Sequence, residues 1–250
     1  MDSDRRTATA AGFLFIIATA ASLLGTAVLG PLLTGPGYLA AIAGDATRVS
    51  VGALFELIAA GTCAGIAIAL YPVLRRWSPG LAIGSVVFRA IEAVMYTLAT
   101  LSLLALVTVV RPGAGAGTDR SGIAAIGDSF IALRQVAVNA GVVAFVIGAL
   151  MYYTVMFRSR LVPRWLSGWG IAAELFMIVA SLAALFDHVP VESYALLALP
   201  IAVQEMVLAV WLIAKGFGVP TVREVGAAGG TRPVGPRTVS GRAGAGLPAR

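Results

Sequence analysis

Long apolar stretches alternate with short polar segments along the chain as far as about residue 214. Because an α-helix rises 1.5 Å per residue, about 20 apolar residues are needed to cross roughly 30 Å of hydrocarbon. Runs of this length occur at about residues 9–30, 50–71, 81–109, 130–157, 166–186 and 194–214. The sequence therefore predicts an all-α fold, a polytopic membrane bundle of six transmembrane helices.

Glycine and proline mark the predicted connections between these helices, at residues 35–37, 78–80, 112–122, 162–163 and 188–190. The organisation changes near residue 215. Residues 1–215 form the predicted six-helix transmembrane domain. Residues 216–250 are rich in Gly, Pro, Ala and Arg and have almost no large apolar side chains, which predicts a disordered basic cytoplasmic tail.

Composition supports the membrane class. The chain is 59% hydrophobic and 12% charged, with a mean hydropathy of +0.92, whereas soluble domains have roughly 25% charged residues. The expected partner is therefore the lipid bilayer. The net charge of +6 does not indicate nucleic acid, because the basic residues lie in short loops and in the tail rather than on one amphipathic face.

The distribution of basic residues predicts the orientation, because cytoplasmic loops are enriched in Lys and Arg. With both ends of the chain in the cytoplasm, the cytoplasmic segments hold thirteen of the eighteen basic residues: Arg5, Arg6, Arg75, Arg76, Arg158, Arg160, Arg164, Lys215, Arg223, Arg232, Arg237, Arg242 and Arg250. The other side then holds four, Arg48, Arg111, Arg120 and Arg134, and Arg89 is intramembrane. We therefore expect an N-in/C-in topology.

Five ionisable residues lie within four of the apolar segments: Glu56, Arg89, Glu92, Glu174 and Glu205. A charge at the bilayer centre costs about 2.5–3.5 kcal/mol on insertion-derived scales, so such residues face one another or a polar cavity inside the bundle. We therefore expect a polar interior.

Depth along the helices suggests which of these residues meet. Arg89 and Glu174 have similar depths in the inner half, and Glu92 lies three residues after Arg89 on the same helix face, which allows an i,i+3 pair. The depth of Glu92 matches that of Glu205 near the midplane. In the outer third, Glu56 and Arg134 lie at similar levels and form a second candidate ion pair.

Four intramembrane carboxylates face two arginines, so some carboxyls are expected to be protonated, to share a proton or to face water. Two interpretations stay open. In one, neutral carboxyls form a structural network with Asn139, Gln204, Tyr96 and backbone carbonyls. In the other, the carboxylates couple to protons or cations in a transporter, or line a headgroup, small-ligand or sensory pocket.

Catalysis has little support in the sequence. The only histidine, His188, lies in a predicted outer loop, which excludes histidine-based metal, haem and Ser-His sites within the membrane. The chain has no phosphate-binding P-loop and no dinucleotide fingerprint. We expect no enzyme, no catalytic residues, no cofactor and no metal site, although a paired-acid mechanism using Glu92 and Glu205 stays open.

Three stretches carry a family resemblance: F-R-A-I-E-A at 88–93, L-V-P-R-W-L-S-G-W-G at 161–170, and A-L-P-I-A-V-Q-E-M-V-L-A-V-W-L-I-A-K-G at 198–216. Together with R-R-T-A-T-A-A-G-F-L-F at 5–15, they resemble the bacterial membrane family called domain of unknown function 4386, over about residues 5–216. The resemblance implies an integral protein of the bacterial cytoplasmic membrane whose characteristic polar residues match Arg89, Glu92 and Glu205. It implies no known activity.

The leading functional hypothesis is a non-enzymatic membrane protein that binds or translocates a small polar ligand or cation. The candidate site comprises Arg89, Glu92, Glu205, Glu174, Glu56, Arg134, Gln204 and Asn139. The alternative is a structural or signalling module whose polar core only fixes helix packing. The sequence gives no indication of the substrate or of the oligomeric state.

Overall fold

A computed structural model describes residues 3–33, 35, 37–110 and 120–218, and all regular secondary structure in this part of the chain is helical. Its α-helices are α1 (Ser3–Leu33), α2 (Tyr38–Gly44), α3 (Ala46–Leu74), α4 (Pro79–Val110), α5 (Arg120–Ser159), α6 (Arg164–Asp187) and α7 (Ala195–Ala214), with a 3₁₀ turn at Val191–Tyr194. Every one of them except α2 is long and apolar enough to cross a membrane, counting the 3₁₀ turn with α7. The predicted all-α fold with six spans is confirmed.

The six long helices form a closed ring. Each packs against its neighbours in the sequence: α1 against α3, α3 against α4, and so on to α7, which packs against both α6 and α1. Arg5 joins α1 to α7. Its guanidinium donates to the carbonyls of Leu212, at 3.2 Å, and Ile213, at 2.5 Å, in the last turn of α7. The carbonyl of Leu212 also accepts from the amide of Gly216 at 3.1 Å, and the arginine adds donors at a helix end, where amide donors are few.

The two ends of the ring differ in composition. We call the end at which α1, α4 and α6 begin and α3, α5 and α7 end the basic end. Of the basic residues that the structure describes, eight lie there: Arg5, Arg6, Arg75, Arg76, Arg158, Arg160, Arg164 and Lys215. The four tryptophans of the chain also lie toward this end: Trp77, Trp165, Trp169 and Trp211. Tryptophan and basic residues are typical of the membrane–water interface.

The outer surface of the ring is apolar. Large exposed side chains include Leu23, Leu54, Ile68, Val94 and Leu196. Several threonine and serine hydroxyls on the spans donate within their own helices, as with Thr97, which donates to the carbonyl of Ala93 four residues earlier. A surface of this kind is suited to lipid, where each backbone and side-chain polar group must find a partner inside the protein.

Two helix boundaries differ from the sequence prediction. Helix α5 begins at Arg120, ten residues before the predicted start at 130, so that residues 120–122 of the predicted turn are helical. The sequence prediction treated Gly122 as part of a turn and began the helix only after Gly127. Gly127 instead allows close packing, because a Cβ there would lie 2.6 Å from Cδ2 of Leu39 on α2.

Helix α1 begins at Ser3 rather than near residue 9 because its polar first turns have partners at the basic end. Asp4 pairs with Arg76 at 2.7 Å, and Arg5 binds the end of α7. The predicted tail beyond residue 218, together with Pro36 and residues 111–119 of the predicted connections, lies outside the described residues.

The short helix α2 was not predicted. It lies between the end of α1 and the start of α3. The Tyr38 hydroxyl donates to Asp128 Oδ1 of α5 at 2.7 Å. Burial, together with this bond to a carboxylate, raises the pKa of Tyr38 to about 12. The hydroxyl therefore stays protonated and available as a donor, and it anchors α2 to the first turns of α5.

Candidate functional site

Helix α4 contributes an ion pair to the interior of the ring. Arg89 and Glu92 are each 1% exposed, and Arg89 Nη1 lies 3.0 Å from Glu92 Oε2. Neither atom has an aligned hydrogen bond to any residue that the structure describes. The contact is therefore electrostatic, between side chains three residues apart on one helix face, as the sequence spacing allows.

The Arg89 side chain is held by two neighbouring helices, α3 and α5, and by its own helix. Its Nε donates to the carbonyl of Cys63 on α3 at 3.3 Å, and its guanidinium carbon lies 4.8 Å from the centre of the Phe145 ring on α5. Gly148 makes room for the stem, because a Cβ there would lie 3.1 Å from Arg89 Cγ. The arginine is thus fixed by a carbonyl, an aromatic face and one carboxylate.

Helix α6 contributes Glu174, which is completely buried. Glu174 lies ten residues after the start of α6 and Arg89 lies ten residues after the start of α4, so both are about 15 Å along their helices from the basic end. Both carboxyl oxygens of Glu174 are buried and have no hydrogen-bond partner among the described residues. The side chain interacts electrostatically with Glu205, Arg89 and Glu92.

Helix α7 contributes Glu205, nine residues before its end and therefore at a similar level. The residue as a whole is half-buried, but its Oε1 is buried and finds no hydrogen-bond donor in the described part of the chain. Glu205 interacts electrostatically with Arg89 and Glu92. We refer to Arg89, Glu92, Glu174 and Glu205 as the central cluster.

Tyr152 of α5 borders the central cluster. It is completely buried, its ring centre lies 4.5 Å from that of Tyr153, and it interacts electrostatically with Arg89, Glu205 and Glu174. Within the described residues its hydroxyl has no hydrogen-bond partner. Tyr152 was not among the predicted site residues, because the sequence of an apolar helix does not indicate which face a tyrosine occupies.

The two amide side chains in the predicted site are engaged elsewhere, which corrects the expectation that they satisfy carboxyl groups. Gln204 accepts from the Tyr153 hydroxyl at 2.6 Å and donates to the carbonyl of Leu166 at 3.0 Å. Asn139 donates to the Ser181 carbonyl at 3.3 Å and accepts from its hydroxyl at 2.5 Å. These bonds join α5, α6 and α7 to one another and do not involve Glu174 or Glu205.

Glu56 of α3 and Arg134 of α5 form a separate site further from the basic end. Both guanidinium Nη atoms contact the carboxylate, with Nη1 at 3.0 Å from Oε2, and the Thr100 hydroxyl donates to the same oxygen at 2.9 Å. Arg134 also donates to the carbonyl of Ala99 at 3.3 Å. This carboxylate is fully paired, in contrast to those of Glu174 and Glu205.

The structure therefore divides the predicted site residues among three places: the central cluster, the Glu56–Arg134 pair, and the two amide bonds. The central cluster holds three carboxyl groups and one guanidinium. Among the described residues no group of three His, Cys, Asp or Glu side chains has an arrangement that could hold a metal ion. An ionised carboxyl group only accepts hydrogen bonds, and a guanidinium only donates them.

Comparison with protein families gives one result. The family model described as Domain of unknown function (DUF4386) matches residues 10–216. The chain belongs to this family. The matched region includes every residue of the central cluster, and the family description assigns no activity. Neither the curated proteins nor the solved structures compared with the chain gave a match.

Proposed function

We propose that this multi-pass protein of the bacterial cytoplasmic membrane binds a small polar ligand or cation at the central cluster and translocates it. One observation carries the proposal. Three carboxyl oxygens, Glu174 Oε1 and Oε2 and Glu205 Oε1, are buried with no hydrogen-bond donor among the described residues. An occupant that supplies donors or positive charge would satisfy them.

The energetic cost argues against leaving these oxygens unsatisfied. A buried acceptor without a partner costs about 1–3 kcal/mol, and more when the group is charged. Three such oxygens would cost a substantial part of the about 5–15 kcal/mol by which folded proteins are stable. Expensive ionisable groups inside a membrane are by default candidates for ligand, ion or proton sites.

The Glu56–Arg134 pair provides an internal comparison. Glu56 receives two guanidinium contacts and one hydroxyl bond, which is how a purely structural buried carboxylate is satisfied. Glu174 lies in the same bundle and receives none from the described residues. The difference between the two glutamates favours a role in binding for Glu174.

The level of the cluster favours translocation. It lies about 15 Å from the basic end, close to half of the roughly 30 Å hydrocarbon thickness. Its ionisable residues come from α4, α6 and α7. Transporters place substrate sites near the midplane between groups of helices that can move relative to one another.

A flux measurement tests the proposal. The protein is reconstituted in vesicles that contain a pH-sensitive dye, and a pH step is applied in a series of chloride salts of small cations. We expect a cation-dependent dye response from the wild type and none from Glu205→Gln, because an amide cannot release a proton or carry charge. Glu192→Gln, a change at an exposed carboxylate in the 3₁₀ turn, should keep the wild-type response.

Equal traces from folded wild type and folded Glu205→Gln would contradict the proposal. That result would favour the alternative, in which Glu174 and Glu205 stay protonated and the cluster only fixes helix packing. We also expect no enzymatic activity, since the only histidine, His188, caps the end of α6 at the opposite end of the ring from the basic end.

A further inference from the structure

The unsatisfied groups of the central cluster have a particular combination of number, charge and surroundings. Apart from Arg89 Nη1 and Glu92 Oε2, which lie 3.0 Å from each other, they comprise the three carboxyl oxygens of Glu174 and Glu205. At the border of the cluster, the buried hydroxyl of Tyr152 also lacks a partner among the described residues. We propose that the ligand is a small primary amine in its protonated, primary ammonium form. This inference rests on the function proposed above and names the class of ligand.

The number of unpartnered carboxyl oxygens on Glu174 and Glu205 matches the number of N–H donors on a primary ammonium group. A primary ammonium group carries three N–H donors and no acceptor, and the cluster offers three carboxyl oxygens that no described donor reaches. Hydrogen bonds between an ammonium group and carboxylates are charge-assisted and roughly twice as strong as neutral ones. A ligand with three N–H donors therefore matches these oxygens in number and in charge.

The charges agree with a single positive ligand. Arg89 balances one of the three carboxylates of the cluster, and Glu92 is the one it contacts, at 3.0 Å. Glu174 and Glu205 then carry two negative charges when both are ionised. One ammonium group and one proton neutralise them, so binding of the ligand and binding of a proton are linked in this site.

The aromatic side chains fit an organic cation. The face of Phe145 is occupied by the Arg89 guanidinium, whereas Tyr152 interacts electrostatically with both Glu174 and Glu205. Tyr152 is completely buried, and a cation–π contact with a ring shielded from water is worth more than one at an exposed site. The Tyr152 hydroxyl adds a fourth acceptor.

Two other classes of cation fit less well. A divalent metal ion needs several oxygen ligands in a defined geometry, and among the described residues no group of three metal-ligating side chains provides one. A quaternary ammonium ion has no N–H donor, so it would leave the oxygens of Glu174 and Glu205 unsatisfied. The comparison between methylammonium and tetramethylammonium therefore isolates the hydrogen bonds.

Calorimetric titration of the protein in nanodiscs tests the inference. The nanodiscs contain phosphatidylcholine and phosphatidylglycerol, so that no lipid headgroup carries a primary ammonium. Methylammonium chloride, tetramethylammonium chloride and potassium chloride are titrated at constant ionic strength. We expect saturable binding of methylammonium, with affinity at least about tenfold higher than for the other two, since only methylammonium can donate hydrogen bonds to the carboxyl oxygens.

Variants locate the site. Glu174→Gln and Glu205→Gln should each weaken methylammonium binding about tenfold or more, whereas Glu192→Gln should leave it unchanged. Each variant keeps the size of the original side chain and removes a charge, and its thermal unfolding is measured alongside. Unchanged binding in folded Glu174→Gln and Glu205→Gln would overturn the inference.

The outcomes separate this inference from the proposed function. Binding of potassium or tetramethylammonium as tight as that of methylammonium would overturn the ammonium assignment and leave a cation-binding protein. No binding of any of the three would overturn both. A further arm adds phosphatidylethanolamine to the nanodiscs: if it competes with methylammonium, the ammonium group comes from a lipid headgroup, and if it does not, from a free amine.

Discussion

Arg89 is the residue on which the charge balance of the interior depends. It is the cation that the Glu92, Glu174 and Glu205 side chains all experience, and it is 1% exposed. Breaking a buried ion pair by removing one partner leaves an uncompensated charge and costs about 3–5 kcal/mol. Exposed ion pairs are worth far less, about 0–1 kcal/mol.

We predict that Arg89→Ala lowers the stability of the protein by about 3–5 kcal/mol and that adding Glu92→Gln restores part of this loss. The free energy of unfolding in detergent or bilayers measures both. Arg76→Ala is the control, because Arg76 pairs with Asp4 at the surface at 2.7 Å and its loss should cost about 1 kcal/mol or less. If the double change costs as much as the sum of the two single changes, Arg89 and Glu92 are not coupled.

For a single residue, the sequence predicts the depth along its helix but not which neighbouring helix the side chain faces. Depth and i,i+3 spacing are enough to pair Arg89 with Glu92 and Glu56 with Arg134, because both members of each pair have few alternatives inside an apolar helix. Asn139 and Gln204 were assigned to the wrong partners, since depth does not fix which neighbouring helix a side chain faces. Ser181 and Tyr153, their partners, carry no signal in the sequence that distinguishes them from other small or aromatic residues.

At the level of helices, glycines determine how closely α4, α5 and α6 approach. A Cβ at Gly170 of α6 would lie 2.7–2.8 Å from three ring atoms of Tyr153, which is completely buried and bonded to Gln204. The ring cannot move aside without losing that bond. By contrast, a Cβ at Gly61 of α3 would have no described residue within 4 Å apart from its own helix.

We predict that Gly170→Ala destabilises the bundle by about 1–3 kcal/mol through overpacking. Gly61→Ala is the matched control and should be neutral or stabilising by up to about 1 kcal/mol, because alanine is the better helix former. Thermal unfolding in detergent compares the two. An equal loss of stability in Gly61→Ala, which helix propensity cannot cause, would mean that the α5–α6 contact does not determine the effect.

The existence of the six long helices followed from hydrophobicity alone, whereas the starts of α1 and α5 did not. Helix α5 begins at Arg120, well before its apolar run, because its first turns contact α2 through Gly127 of α5 and Tyr38 of α2. Such contacts depend on a neighbour that is distant in the sequence. The small pair Gly61 and Gly65 likewise suggests a packing groove in the sequence, yet Gly61 faces outward.

For the whole molecule, the asymmetry between the two ends predicts the orientation. The basic residues and the tryptophans concentrate at the basic end, where the described chain both begins and ends. Since Lys and Arg are enriched in cytoplasmic segments, we expect this end to face the cytoplasm. The proposed ligand would then reach the central cluster from the periplasm by passing the level of the Glu56–Arg134 pair.

Reporter fusions test this orientation. We predict that alkaline phosphatase fused after Gly216 is inactive and that a fluorescent protein at the same position is fluorescent. The same phosphatase fused after Gly35, at the opposite end of the ring, should be active. The reverse pattern at the two positions would refute the N-in/C-in topology.

The central claim is that Glu174 and Glu205 are ligand-binding carboxyls rather than sealed structural groups, and carbodiimide labelling in native membranes tests it most directly. This hydrophobic reagent modifies protonated carboxyls within membranes, and peptide mass spectrometry identifies the residue. We predict that Glu174 or Glu205 is labelled, that methylammonium or potassium chloride lowers the labelling in a saturable manner, and that Glu56, bonded to Arg134, is not labelled. Labelling of Glu174 and Glu205 that is absent, or that no concentration of either salt alters, would contradict the account.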